Sequence, residues 1–164
     1  MEIKRYRNAP VELRFWSKVE KTDSCWIWRA ATNPKGYGVF VWEKGGGARV
    51  AHRLSYEQLC GPVPTGMVLD HLCWNRACVN PDHLRPVSVR ANSQNRKGAK
   101  ATNSIGIRGV ARSASGKFTA SATKDGERHY LGSFDTAEQA GEAAAEWRRA
   151  HMPESLMDKR KDIA

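Results

Sequence analysis

Two cysteines with four residues between them, Cys73 and Cys78, followed after four more residues by His83, constrain this chain more than any other stretch of it. A chain of 164 residues holds one ordinary domain or two small ones. Small domains bury too little apolar surface to be stable without a clip or a partner. The N-terminal Met-Glu-Ile-Lys-Arg leads into no apolar segment, and no apolar run nears the roughly 20 residues of a membrane span, so an intracellular protein is expected. In a reducing compartment the four cysteines read as metal ligands rather than disulfides. The Cys-x4-Cys-x4-His spacing is compatible with zinc, though looser than a knuckle, and a fourth ligand must come from elsewhere. The plainer alternative is a set of free thiols behaving as small buried hydrophobes.

The chain is cationic, with 27 Lys and Arg against 17 Asp and Glu and a formal charge of +10. That balance describes a globular protein whose natural partner is a polyanion. The charge is also concentrated: between Arg85 and Arg128 stand ten Lys/Arg against only Asp125 and Glu127, a net +8. Nucleic acid is the first partner such a stretch suggests. A solvated basic surface kept for solubility is the plainer one.

Periodicity and turn residues organise the chain into two parts joined by a linker. A short apolar-periodic helix, Val11-Leu13-Phe15-Trp16-Val19, opens the first. Cys25-Trp26-Ile27-Trp28 and Tyr37 to Trp42 are β-rich and flank Asn33-Pro34-Lys35-Gly36, which predicts a hairpin. Ala51 to Cys60 reads as a helix stopped by Gly61-Pro62-Val63-Pro64. Met67-Val68-Leu69 is a short strand delivering Asp70 and His71 at its end, with a second strand around Leu84 to Val87 and a helix from about Ser88. Residues 96 to 104 are small, polar and cationic, the composition of a flexible linker near a phosphate backbone. Beyond it, Ile107 to Val110, Lys117 to Thr123 and Glu127 to Gly132 read as three strands, turning at Ser115-Gly116 and Asp125-Gly126. Asp135-Thr136 caps a helix on which Ala137, Ala140, Ala144 and Trp147 recur at helical spacing. The boundaries expected are therefore 1–95, 96–104, 105–152 and a charged, frayed tail over 153–164.

Hydrolysis of a phosphodiester needs a base for water, a cation for the charge developing on phosphate and leaving oxygen, and something to orient the base. Leu69-Asp70-His71-Leu72, Asp82-His83-Leu84-Arg85-Pro86-Val87 and Arg90-Ala91-Asn92-Ser93-Gln94-Asn95 resemble the HNH nuclease core in its phage homing-endonuclease form. The resemblance implies a ββα-metal (His-Me finger) fold within an α+β chain. It implies that Asp70 binds a divalent ion, that His71 is the general base and that Asn92 completes the protein's metal ligands. A carboxylate and an amide oxygen with open positions suit magnesium or manganese. His83 falls where the family has the Asn that orients the base, which is a departure. His52-Arg53 resembles the family's upstream Ala/Val-His-Arg signature. Arg53 is then either a bidentate phosphate ligand or the partner of Glu57 one helical turn on.

Cys-Trp-x-Trp at Cys25 and Gly36-Tyr37-Gly38 resemble the N-terminal part of a zinc-containing HNH subgroup. That resemblance makes Cys25 the fourth ligand of a structural zinc with Cys73, Cys78 and His83, and Cys60 the reserve. Two roles compete for His83, zinc ligand and orienter of His71. Such a zinc is structural, because a closed site offers phosphate no open position.

Ile107-Arg108-Gly109-Val110, Gly116-Lys117-Phe118 and Tyr130-Leu131-Gly132-Ser133-Phe134-Asp135-Thr136-Ala137-Glu138-Gln139-Ala140 resemble the plant ethylene-response-factor (APETALA) DNA-binding domain. That domain is a three-stranded antiparallel sheet backed by one helix, with the sheet in the major groove. Period-2 alternation agrees: Phe118, Ala120 and Ala122 are apolar, while Thr119, Ser121 and Thr123 alternate with them. Arg128 and Tyr130 lie beside the polar stripe, and Arg108, Arg112 and Lys117 add cations. Ala111, Ser113 and Ser115 depart from the plant pattern, which implies a different or weaker base preference.

The expectation that joins these parts is a site-specific homing-type DNA endonuclease, phage-encoded and acting in the bacterial cytoplasm. Catalytic magnesium or manganese and structural zinc serve it, double-stranded DNA is its partner, and no membrane or small-molecule substrate is involved. Arg96, Lys97 and Lys100 of the linker join the residues expected on DNA. Monomer and homodimer both fit. The alternative is a DNA-binding regulatory protein with a degenerate nuclease core.

Overall fold

The computed structural model describes residues 9–96, 98–100 and 102–159. It is a mixed α/β chain of small antiparallel sheets and short helices. The chain divides into two compact units, the first ending at Val89 and the second beginning at Arg90.

The first unit opens with helix α1 (Val11–Trp16), which brings Phe15 to the centre of an aromatic core. Phe15 is fully buried, its ring centroid 5.1 Å from Trp28 and 5.4 Å from Phe40. Ala51, Leu54 and Val79 complete that core. Strands β1 (Val19–Lys21) and β2 (Trp26–Trp28) pair antiparallel, as do β3 (Val39–Phe40) and β4 (Arg49–Val50). Helix α2 follows over Ala51–Cys60. Gly38 lies so close to Trp28 that an added Cβ would sit 2.5 Å from its ring, so no larger residue fits there.

The hairpin predicted between Cys25–Trp28 and Tyr37–Trp42 is not formed. The turn itself exists, with Gly36 N–H donating to Asn33 and a single bridge between Thr32 and Gly38. The edges of β2 are taken by other partners: β1 on one side, and on the other the segment around Cys78, through Trp28 N–H to the Ala77 carbonyl and Val79 N–H to the Trp26 carbonyl, each at 2.8 Å. A strand has two edges, and both are filled.

The next hairpin carries the chemistry-bearing residues. Strands β5 (Met67–His71) and β6 (Leu84–Ser88) pair antiparallel with Asp70 opposite Arg85 and His71 opposite Leu84. A 3-10 turn over Pro81–His83 leads into β6, capped by the Asn80 side chain accepting from Asp82 N–H. Leu72 N–H donates to the His83 carbonyl, which extends the pairing one step beyond the strands.

Helix α3 (Val89–Gln94) begins at the division between units. In the second unit, strands β7 (Val110–Arg112), β8 (Phe118–Lys124) and β9 (Glu127–Phe134) form an antiparallel sheet in that order. Helix α4 (Ala137–His151) packs on one face through Ala140 and Ala144, both fully buried against Val110 and Ala120. Small side chains let helix and sheet approach closely. A type I′-like turn at Asp125-Gly126, both with positive φ, joins β8 to β9. The register shifts between Ala120 and Ser121, so Leu131 is left out of the ladder and Tyr130 pairs with Ser121.

Three expectations for this unit are corrected. The first strand begins at Val110 rather than Ile107, because Gly109 has φ +85° and an added Cβ there would meet the Ser121 carbonyl at 2.4 Å. The tail is not frayed as far as it is described. Helix α5 (Leu156–Lys159) brings Asp158 to Arg148 at 2.6 Å, and Ser155 is fully buried. The segment expected as a flexible linker ends in a fixed turn: Asn103 Nδ2 donates to the carbonyls of Ile107 and Val110 at 2.9 and 3.0 Å.

Candidate active site and metal centre

Asp70 and His71 stand at the end of β5, both buried, at 4% and 7% exposure. Strand alternation sends the two side chains to opposite faces. On one face Asp70 Oδ2 accepts from Arg85 Nε at 3.1 Å and Nη2 at 3.0 Å, across the β5–β6 register. On the other, His71 Nε2 meets the Cys78 carbonyl at 3.1 Å. Burial lowers the His71 pKa, outweighing the Cys78 carbonyl, Cys73 and Asp70, which act to raise it. A neutral imidazole with one nitrogen donating to a carbonyl presents its other nitrogen as a proton acceptor.

Two further rings surround His71. His52 on α2 lies edge-to-face at 4.7 Å, and Tyr37 lies 5.8 Å from His71 and 5.3 Å from His52. His52 is 9% exposed and its Nδ1 is buried without a hydrogen-bond partner among the described residues. Burial, with the charges of His71 and Arg53 adding to it, pushes its pKa down to about 3, so it too is neutral. Sequence reasoning noted His52 inside a signature but gave it no role. Neither His52, Tyr37 nor Arg85 was a predicted site residue. The only sequence signal for Arg85 is its place opposite Asp70 once the hairpin register is drawn.

Beside the His71 ring, Cys25, Cys73, Cys78 and His83 converge. One ligand atom from each lies within 4.8 Å of all the others. His83 Nδ1 is 3.5 Å from both the Cys25 and Cys78 sulfurs. Tetrahedral zinc with bonds of about 2.3 Å to sulfur and 2.0–2.1 Å to nitrogen sets its ligands roughly 3.5–3.8 Å apart, so the donor set and spacing fit that ion. The thiols compete for charge. Cys73 is pulled down to about 5, chiefly by the hydrogen bond from Cys78, while the same contact raises Cys78 and burial raises Cys25. One thiolate disfavours the next at this distance, and a divalent cation at the centre removes that conflict. The elements that bring the four together are the β2–Cys78 bridge, the tight turn at Trp74 (φ 53°) and the 3-10 turn at Pro81. Cys60, the reserve ligand, is exposed at the end of α2 and is not in the cluster. The competition for His83 takes a definite geometric form: its ring faces the sulfurs, and the orienting contact on His71 comes from a backbone carbonyl.

The remaining expected residues are distributed as follows. Asn92 is exposed on α3, in the second unit. Arg53 Nε donates to Glu57 at 2.7 Å, with Arg49 on the same carboxylate. Thr123, Arg128 and Tyr130 are exposed on the sheet face away from α4, and the register pairs Thr123 with Arg128 and Ser121 with Tyr130. Arg128 donates to the Ser121 hydroxyl at 3.2 Å, and Thr119 Oγ1 to the Ala111 carbonyl. Lys117 pairs with Asp135, and Arg96, Lys100 and Arg112 are exposed. Arg108 is turned inward, donating to the carbonyls of Gln94 and Arg96 and to Ser155, with Asp158 at 3.6 Å. Lys97 lies outside the described residues.

Comparison with known proteins places this geometry in a family context. Residues 49–94 match the family model of HNH endonuclease. The match spans α2, the β5–β6 hairpin and α3. Protein 7.7 of Escherichia phage T7 is 40% identical over 72 residues, which is 44% of this chain and 54% of that protein. Protein 2.8 of the same phage is 35% identical over 77 residues, 46% of this chain and 52% of that protein. The uncharacterized gene 5.3 protein of Enterobacteria phage T3 is 46% identical over 39 residues, 24% of this chain and 39% of that protein. The chain thus spans about half or less of the length of these relatives. No solved structure matches it. Among the described residues no helix is long and apolar enough to cross a membrane.

Proposed function

We propose that the chain is a DNA endonuclease of the HNH homing type, hydrolysing phosphodiester bonds with a divalent metal and with His71 as general base. The observation that carries this reading is the state of His71: buried, neutral, and held by one ring nitrogen on the Cys78 carbonyl at 3.1 Å. Its free nitrogen takes the proton of the attacking water, and the imidazolium formed is stabilised by the neighbouring Asp70 carboxylate. Arg85 holds the Asp70 carboxylate in place through two contacts to Oδ2. Asp70 would hold magnesium or manganese, which supplies charge stabilisation at the phosphate and leaving oxygen when bound. The Cys25–Cys73–Cys78–His83 cluster would hold zinc as a closed structural centre. The exposed sheet face with Thr123, Arg128 and Tyr130, together with Arg96, Lys100 and Arg112, anchors the enzyme on double-stranded DNA. Arg108 has no part in that face, since its guanidinium is engaged within the second unit. The HNH endonuclease match over residues 49–94 supports action on nucleic acid, and the phage relatives support a place of action inside a bacterial host.

The test is incubation of the purified full chain with supercoiled plasmid and Mg²⁺, then with EDTA. Nicked or linear DNA is expected with metal and none with chelator. His71→Ala is expected to lower cleavage by about a hundredfold or more while DNA affinity stays within about twofold. Full activity in that variant overturns the role of His71. A wild-type chain that binds DNA and cuts none in Mg²⁺ or Mn²⁺ favours the regulatory, non-cleaving alternative.

A further inference from the structure

Cys78 takes part in two sites through two different atoms. Its sulfur belongs to the four-ligand cluster, 3.5 Å from His83 Nδ1, and its carbonyl holds His71 Nε2 at 3.1 Å. The residue is fully buried, and both its backbone N–H and its sulfur are held within the loop. Cys78 N–H donates to the Asn75 carbonyl at 3.0 Å, and Asn80 N–H points at its sulfur at 3.4 Å. The second cluster cysteine on this loop brackets His71 from the other direction. The His71 carbonyl accepts from Trp74 N–H at 3.1 Å, in the tight turn that follows Cys73. His83 closes the loop, its carbonyl accepting from Leu72 N–H at 2.8 Å. Among the described residues, the backbone contacts that hold His71 after β5 therefore run through a loop that supplies three of the four cluster side chains, Cys73, Cys78 and His83.

We propose that Cys78 is a positioning residue that couples the metal cluster to the nuclease site, so that a metal held on its thiolate fixes the carbonyl that orients His71. This rests on the reading of His71 as base. Without a metal, three thiols in one place repel as thiolates or share protons, and the 73–83 loop lacks the bonds that would tie Cys78 to Cys25, Cys73 and His83. A bound cation supplies them. Misplacement of a base by about 1 Å costs on the order of a hundredfold in rate, so a structural ion with no contact to DNA still governs turnover.

The experiment uses the full chain with ¹⁵N-labelled histidine, loaded first with zinc and then with cadmium, a larger ion with the same ligand preference. The ¹¹³Cd resonance reports the ligand set, and long-range proton–nitrogen spectra report the His71 ring. On exchange, the His71 ring signals are expected to move while those of His129 and His151, in the other unit, stay fixed. Cys78→Ser is expected to turn the single His71 tautomer into a mixture, and to lower kcat at least tenfold with DNA affinity within about threefold. His71 signals unmoved by both changes overturn the proposal, and should Cys78→Ser fail to fold, the metal exchange answers alone. A ¹¹³Cd signal outside the range for three thiolates also overturns it, and leaves the nuclease reading standing. Absence of cleavage by a zinc-loaded chain in which His71 does respond sinks the nuclease reading and leaves the coupling supported.

Discussion

At the scale of single residues, the chain's adjacent and closely spaced groups were legible and its tertiary neighbours were not. Asp70 and His71 declare themselves because they are adjacent and end a strand, and three of the four cluster ligands lie within eleven consecutive positions of the chain. His52 did not, since its 4.7 Å contact with His71 joins residues nineteen apart and depends on how α2 meets the β5–β6 hairpin. Arg108 was expected on DNA because a cation in a basic stretch looks like a phosphate ligand. Its actual partners are two carbonyls and a buried serine that no pattern announces. His52 carries a stability prediction of definite sign. Its pKa is about 3 in the folded chain against an ordinary 6.5. The unfolded chain therefore binds a proton that the folded chain refuses, and stability is full above about pH 6.5 and falls as pH drops from there toward 3. Between pH 6.5 and 5 this one group costs roughly 1.5–2 kcal/mol. His52→Phe, similar in shape and without the titration, is expected to lose that much less stability over the same interval in urea unfolding at constant metal. Parallel losses in variant and wild type would assign the acid sensitivity elsewhere.

At the scale of elements, success followed the range of the interaction that defines each one. Helix α4 was legible from Asp135-Thr136 onward because a cap is local: Thr136 Oγ1 accepts from Gln139 N–H at 3.2 Å and the Gln139 side chain returns to Thr136 N–H at 3.3 Å. The β8–β9 hairpin was legible because Asp125-Gly126 supplies both positive φ values. The first-unit hairpin was misread for the opposite reason. Its turn chemistry is correct, but the edge of β2 pairs with Ala77 to Val79, some fifty residues on, and that pairing is what carries Cys25 to Cys78. Alternation alone does not name a strand's partner. The cap gives an element-scale test. Thr136→Ala is expected to cost about 1 kcal/mol, seen as a lowered urea midpoint for the second unit, and Thr136→Ser to restore most of it. No loss in the alanine variant would mean that the packing of Ala140 and Ala144 on the sheet determines the start of α4 without help from its cap.

For the whole molecule, charge points to a class of partner before any fold is drawn, yet it does not say which cations would meet that partner. A formal +10 requires only a polyanion. The structure sorts the cations into those spent internally, such as Arg148 on Asp158, and those left at the surface, such as Arg112 and Lys100. That sorting makes the proposed DNA-anchoring role of the second unit testable through salt dependence, because each cation that neutralises a phosphate releases counterions and contributes about 0.9 to the slope of log affinity against log salt. Arg112→Ala and Lys100→Ala, made singly in the full chain, are each expected to weaken binding and shallow that slope by about one. Tyr130→Ala is expected to behave differently. The ring is 66% exposed beside Ser121 on the sheet face away from α4, an apolar surface that natural folding leaves uncovered. If it packs on bases or sugars, its removal lowers affinity at every salt concentration and leaves the slope alone. Arg108→Ala, by contrast, removes an internal tether and is expected to lower the stability of the second unit ahead of its affinity. Binding curves for the four variants, measured at several salt concentrations on protein checked for folding, separate the three behaviours. If Arg112 and Lys100 leave the slope unchanged while Arg108 alters it, the inward-facing network opens on DNA and the anchoring face lies elsewhere in the unit.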